Sequence, residues 1–369
     1  MTRPRIVPVA PQWFSAVMGT SIIATSAHVL PVRLPGLDAI AWTAWAVAGA
    51  ALAAISLATA AHLLTTPGAL SAQLRDPAVA PFFGAAAMAP LAFGAATLLV
   101  AAPFLGPAVI AIDAALWLLG TALGLATAVA VPALAFLRPA AGTAGASGTA
   151  LLPVVPPMVS AATGALLLPH AGDGTAQALA VACVTMVGVS GIATLAILPQ
   201  IWSRLARHGV GEARSVPALW IVLGPLGQCV TAAGLLADHA GRALGIDARL
   251  LTVAAVLAGL PVLGFALAWL GVCGVLTARA AREGLPFSLG WWAFTFPVGT
   301  LVTGASSLAA HTGAPALDAL AVGLFVLLLA GWGVAATGTV RHLLAARRPA
   351  AGGQRAVSAR LSLATHHGP

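Results

Sequence analysis

Long apolar runs alternate with short polar connections along the chain, and the alternation marks out ten segments. They cover residues 13–30, 38–64, 81–102, 107–137, 150–168, 176–202, 217–237, 247–278, 288–310 and 316–344. About 20 apolar residues in a helix cross the hydrocarbon core of a bilayer, so each run predicts a membrane-spanning α-helix. Runs well above that minimum predict tilted helices, or helices that continue past the membrane. The connections are short and rich in Pro, Gly, Asp, Arg and His. The pattern predicts an all-α integral membrane protein with a single transmembrane domain over residues 1–344. Residues 345–369 form a short, basic, Gly-rich tail expected to be disordered.

Proline divides the ten runs into two sets. Pro90 lies within the third, Pro156 and Pro157 within the fifth, Pro225 within the seventh and Pro297 within the ninth. The first has no internal proline but carries Gly19 and Thr20. The second and tenth have none, the fourth and sixth have Pro132 and Pro199 near their ends, and the eighth, with Pro261, is the exception. A proline inside a helix removes one backbone hydrogen bond, and in lipid the freed carbonyl needs a partner in protein or in a water-lined cavity. The odd-numbered spans are therefore expected to be kinked and to face inward, with the even-numbered ones outside them. Five helical hairpins around a central pore satisfy that requirement.

Composition agrees with a membrane protein. Hydrophobic residues make up 60% of the chain and charged ones only 7%, where a soluble domain carries about 25%. The net charge of +8 is too dilute for a nucleic-acid surface, so no nucleic-acid partner is expected. All 17 basic residues are arginine, a choice that fits a GC-rich genome better than any chemistry. Their distribution reports topology. Only Arg33, Arg242 and Arg249 fall on one side of the ten spans and all the rest fall on the other. By the positive-inside rule both termini are cytoplasmic, in a plasma (inner) membrane. The opening residues lack the continuous apolar stretch of a cleaved signal peptide.

Chemical motifs are sparse. Cys183, Cys229 and Cys273 are far apart in the sequence, no Cys/His group has metal-ligand spacing, and neither HExxH nor GxSxG occurs. No enzyme activity, metal or cofactor is expected. No charge sits near the centre of a span. Asp113, about six residues inside the fourth, comes nearest. It is read either as a carboxylate near a helix N-terminus or as a proton-coupling residue. A path without fixed charges would solvate an ion with hydroxyls and backbone dipoles. Gly19, Thr20, Ser160, Thr163, Thr295 and Thr300 are the pore-lining candidates.

Three stretches carry a resemblance. PQWFSAVMGTS in the first span, LLPVVPPMVSAATG in the fifth and WWAFTFPVGT in the ninth together resemble the tellurite-resistance/dicarboxylate transporter family. That family includes fungal malate permeases, sulfite efflux pumps and plant slow anion channels. The resemblance implies five hairpins around a pore lined by the odd helices, a homotrimer, and a phenylalanine of the ninth helix plugging the pore. The matching position is Phe296, directly before Pro297, in preference to Phe294. The implied function is transport of small anions, either a C4-dicarboxylate such as malate or an inorganic anion such as chloride, nitrate or sulfite. A proton-coupled dicarboxylate carrier or sulfite efflux pump is the alternative, and a membrane-embedded enzyme or a non-conducting scaffold is the remote one.

Overall fold

The computed structural model describes residues 10–137 and 146–347. Ten helices organise them: α1 (Phe14–Val29), α2 (Leu37–Thr65), α3 (Phe83–Val100), α4 (Ala108–Phe136) and α5 (Pro156–Leu167), then α6 (Asp173–His208), α7 (Leu223–His239), α8 (Ala248–Arg282), α9 (Phe296–Thr312) and α10 (Pro315–Arg347). Shorter helical turns fill some connections, and the described residues contain no strand.

Eight helical segments are long and apolar enough to cross a membrane. The other two, α1 with 16 residues and α5 with 12, reach only ~24 Å and ~18 Å at 1.5 Å per residue. The hydrocarbon core is about 30 Å thick. Proline accounts for the brevity of α5. The chain leaves a 3₁₀ turn at Gly148–Leu151, passes Pro153, and becomes α-helical only at Pro156. It ends in another 3₁₀ turn that contains Pro169.

Every odd-numbered helix is preceded by a 3₁₀ segment: Pro11–Trp13, Ala80–Phe82, Gly148–Leu151, Ala213–Val222 and Leu289–Phe294. This corrects the sequence reading of the prolines as mid-span kinks. Pro156 and Pro157 open α5, Pro297 is the second residue of α9, and Pro225 is the third of α7. In the first turn the missing N–H has no helical partner to lose, and the fixed φ suits the helix. Of the five prolines only Pro90 lies well inside its helix. Pro132, Pro199 and Pro261 are inside the even helices α4, α6 and α8.

Burial alternates along the chain. In the apolar windows of Ala80–Val100, Ala213–His239 and Leu289–Thr312, 72%, 78% and 83% of residues are buried. The corresponding shares for α2, α4, α6, α8 and α10 are 6%, 22%, 22%, 22% and 28%. Most of α1 and nearly all of α5 are buried too. The even helices expose large apolar side chains such as Leu57, Ile192, Leu257 and Val275, as a hydrocarbon solvent permits and water does not. Each odd helix packs on the even helix that follows it, and the odd helices also touch one another in the order α1–α3–α5–α7–α9, with α9 returning to α1.

Glycine permits the closest approaches. A Cβ on Gly84 would stand 1.8 Å from the Leu152 carbonyl oxygen, and one on Gly148 would stand 1.8 Å from that of Ala218. These are backbone contacts between successive 3₁₀-to-α junctions, and neither neighbour has a flexible side chain that could move aside.

The even helices share a different feature, an aspartate near the N-terminus, where a negative charge complements the helix dipole. Asp38, Asp173 and Asp318 are in the first turns of α2, α6 and α10. Asp247 caps α8, accepting a hydrogen bond from the Leu250 N–H at 3.1 Å. Asp113 of α4 belongs to the same series but sits deeper, at its sixth residue.

Helix boundaries depart from the hydropathy pattern where charges begin. α6 continues through Arg204 and Arg207, and α8 through Arg279 and Arg282, because backbone hydrogen bonding persists after the apolar run ends. α10 likewise continues to Arg347, so residues 345–347 of the expected disordered tail are helical. The rest of that tail lies outside the described residues.

Candidate functional site

The 3₁₀-to-α junctions gather the N-terminal ends of all five odd helices at one end of the molecule. Between them lies a vestibule of about 580 Å³, whose walls include Met18 of α1, Met88 of α3, Val155 just before α5, Gly224 of α7 and Phe296 of α9. Helix N-termini present unpaired N–H groups and a partial positive charge. Arg204 and Arg214 add formal positive charge to the same wall. Arg214 is ion-paired with Glu212, both side chains being exposed. Among the described residues Arg204 has no ion pair.

One helical turn deeper is a second, smaller chamber of about 40 Å³. On four helices its first lining residue lies four positions after a vestibule residue: Ile22 after Met18, Ala92 after Met88, Val159 after Val155 and Gln228 after Gly224. Residues three further on, Thr25, Ala95, Ala162 and Thr231, continue the wall. This is the i, i+4, i+7 face of a helix. On α9 the corresponding positions are Phe296 and Thr303. Phe296 alone among the residues of the two walls belongs to both, and it is 3% exposed.

Phe294 faces elsewhere. Its ring packs edge-on against Trp220 at 5.1 Å and tilted against Trp291 at 6.1 Å, and its backbone carbonyl crowds Gly331 of α10. Phe296 takes part in none of the ring pairs among the described residues.

Among the hydroxyl candidates from the sequence, Thr163 lines the deeper chamber, with its Oγ1 donating to the Val159 carbonyl at 2.9 Å. The other candidates have different surroundings. Thr20 donates to the Ala16 carbonyl at 2.7 Å and accepts from the indole N–H of Trp332 at 3.0 Å, so it faces α10. Gly19 and Thr295 meet at the α1–α9 contact, where a Cβ on Gly19 would be 2.1 Å from Thr295 Oγ1. The Thr300 hydroxyl lies 2.7 Å from the Pro297 carbonyl and 3.3 Å from that of Leu223. Ser160 is fully buried beside α4, its carbonyl accepting from Trp117 Nε1 at 2.8 Å.

Asp113 is buried against α3, where a Cβ on Gly94 would meet its Oδ1 at 2.4 Å. Among the described residues neither carboxyl oxygen has a hydrogen-bond partner, and Asp113 is not a wall residue of either cavity.

In the deeper chamber four polar wall residues escaped the sequence reading: Thr25, Gln228, Thr231 and Thr303. Thr231 and Thr303 join α7 to α9 through a 2.7 Å hydroxyl–hydroxyl contact. A signal for Thr303 was present, since it lies seven residues after Phe296 and shares its helical face. Gln228 and Thr231 are likewise four and seven positions after Gly224.

A family model described as voltage-dependent anion channel (SLAC1) matches residues 8–340. The sulfite efflux pump of Trichophyton rubrum is 25% identical over 330 residues, which is 87% of each chain, and that of Arthroderma benhamiae matches at the same identity and coverage. An uncharacterized transporter of Methanocaldococcus jannaschii is 23% identical over 333 residues, 90% of this chain and 94% of its own.

Proposed function

The chain belongs to the voltage-dependent anion channel family, and from that premise we propose that it conducts small anions along the axis enclosed by α1, α3, α5, α7 and α9, with Phe296 as the barrier. In this reading the ten helices form five hairpins in the membrane, the odd helices lining the pore and the even ones facing lipid. The arginine-rich end, which carries the vestibule, is cytoplasmic, in the plasma (inner) membrane of the cell.

The observation that carries the reading is the position of Phe296 as the wall shared by two cavities that follow one another along the same five helices. An apolar ring there excludes hydrated ions until it turns aside. Five helix N-termini and two arginines at the mouth favour negative ions over positive ones. Weak, neutral contacts beyond the ring let an anion leave as well as arrive. Sulfite is a reasonable cargo, since two of the similar chains are named sulfite efflux pumps.

The test is anion current across planar bilayers with chloride, nitrate, sulfite and malate in turn. Phe296→Ala should raise the current on the order of tenfold or more over wild type, through loss of the constriction. A correctly folded Phe296→Ala protein with unchanged current would overturn the barrier role. Within the same proposal the protein assembles in the bilayer as a homotrimer with one path per subunit, and crosslinking in native membranes should yield dimer and trimer bands. A proton-coupled dicarboxylate carrier would need a titratable group on the path, and Asp113, the candidate for that role, faces Gly94 instead.

A further inference from the structure

We propose that Gln228 is the selectivity ligand of the path, its side-chain amide binding a small, partly dehydrated inorganic anion in the chamber beyond Phe296. This rests on the transport reading above and deepens it by naming the site and the size class of ion.

The side chain of Gln228 is 5% exposed, and its amide oxygen is buried with no hydrogen-bond partner among the described residues. A buried amide without a partner is costly, and such a group in a folded protein calls for a water, an ion or a functional role. The neighbouring wall hydroxyls do not supply the missing partner. Thr163 donates to Val159, while Thr231 and Thr303 contact each other and backbone carbonyls of their own helices. At the level of Gln228, Ile22, Ala92 and Val159 are all apolar. At this level an ion that has passed the Phe296 ring therefore meets an unengaged amide among apolar neighbours.

The chemistry of that group suits an anion. Rotation about the last bond exchanges the amide O and N positions, so the same side chain can turn its N–H₂ group, with two donors, to the chamber. Hydrogen bonds to a charged acceptor are stronger than neutral ones, and a neutral donor does not trap the ion as a fixed cation would. Size sets the class of ligand. A water needs roughly 10–15 Å³ of probe-occupied space, so a chamber of about 40 Å³ has room for an ion of the size of chloride, nitrate or sulfite. A compact inorganic anion suits so small a chamber better than an extended four-carbon dicarboxylate.

The experiment uses Phe296→Ala as an open background and reads reversal potentials with chloride on one side of the bilayer and nitrate or sulfite on the other. Adding Gln228→Leu, which keeps the bulk of the side chain and removes the amide, should change the permeability ratio about tenfold, the effect of losing one hydrogen bond to a charged group. Adding Gln228→Glu should suppress anion current, whereas adding Gln228→Asn should restore part of the original ratio. An unchanged ratio in the Gln228→Leu background would overturn the assignment while leaving the Phe296 barrier intact. If Phe296→Ala itself carries no current, the transport path fails, and Gln228 is judged by binding. Sodium sulfite should raise the unfolding temperature of the purified wild-type protein, and Gln228→Leu should abolish the rise. A rise that persists in Gln228→Leu would overturn the proposal.

Discussion

Phe294 and Phe296 are two residues apart, and their surroundings differ. Phe294 is locked among Trp220, Trp291 and the α10 backbone, whereas Phe296 borders two cavities. Phe294→Ala should therefore behave as a packing mutation, lowering stability by about 3 kcal/mol without opening the path. Thermal unfolding in detergent together with bilayer current separates the two variants. The glycines at the junctions make a second residue-scale prediction. Gly84→Ala and Gly148→Ala each push a methyl group into a backbone carbonyl and should cost roughly 1–3 kcal/mol. Gly174→Ala, with nothing within 4 Å of its Cβ, should leave the unfolding temperature unchanged. The WWAFTFPVGT motif singled out Phe296, but the geometry that distinguishes it from Phe294 depends on partners from distant parts of the chain.

At the scale of elements, hydropathy located the long helices and missed how the inner ones begin. Proline in an apolar run reads as a kink when the run is taken as one continuous helix. The structure breaks the fifth, seventh and ninth runs into a 3₁₀ lead and an α-helix, with the prolines in or next to the first turn. The high burial of the odd runs therefore does not rest on mid-helix kinks at these positions. Their burial follows from contacts among themselves and with the even helices. For the exposed faces of the even helices the hydropathy argument is direct. Ile192→Arg in α6 and Leu123→Arg in α4 would each set a guanidinium near the middle of an exposed apolar helix, at about 2.5–3.5 kcal/mol on insertion scales. Both should reduce the amount of protein recovered in the membrane fraction, and undiminished recovery would count against a lipid-facing position.

Across the whole molecule, the positive charge around the vestibule comes from groups that no local motif unites. Arg204 ends α6 and Arg214 lies in the following 3₁₀ segment, yet both share one wall with residues near the start of every odd helix. Replacing both with Gln should lower anion current at low ionic strength, with the difference shrinking as salt approaches and exceeds physiological levels, because exposed charges are screened over about 8 Å there. A salt-independent loss would indicate structural damage instead of altered attraction.

The sequence by itself determined the all-helical membrane character, the approximate limits of most long helices and the family, because hydropathy and short motifs are properties of neighbouring residues. The tertiary structure decided which side chains line the two cavities. Thr20 and Thr300 are polar and lie in the inner helices, yet one hydroxyl engages Trp332 and the other the carbonyls of Leu223 and Pro297. Gln228 faces the chamber with its amide oxygen unpartnered. The side of a helix that turns inward, and the polar groups that find partners there, are set by helices far away in the chain.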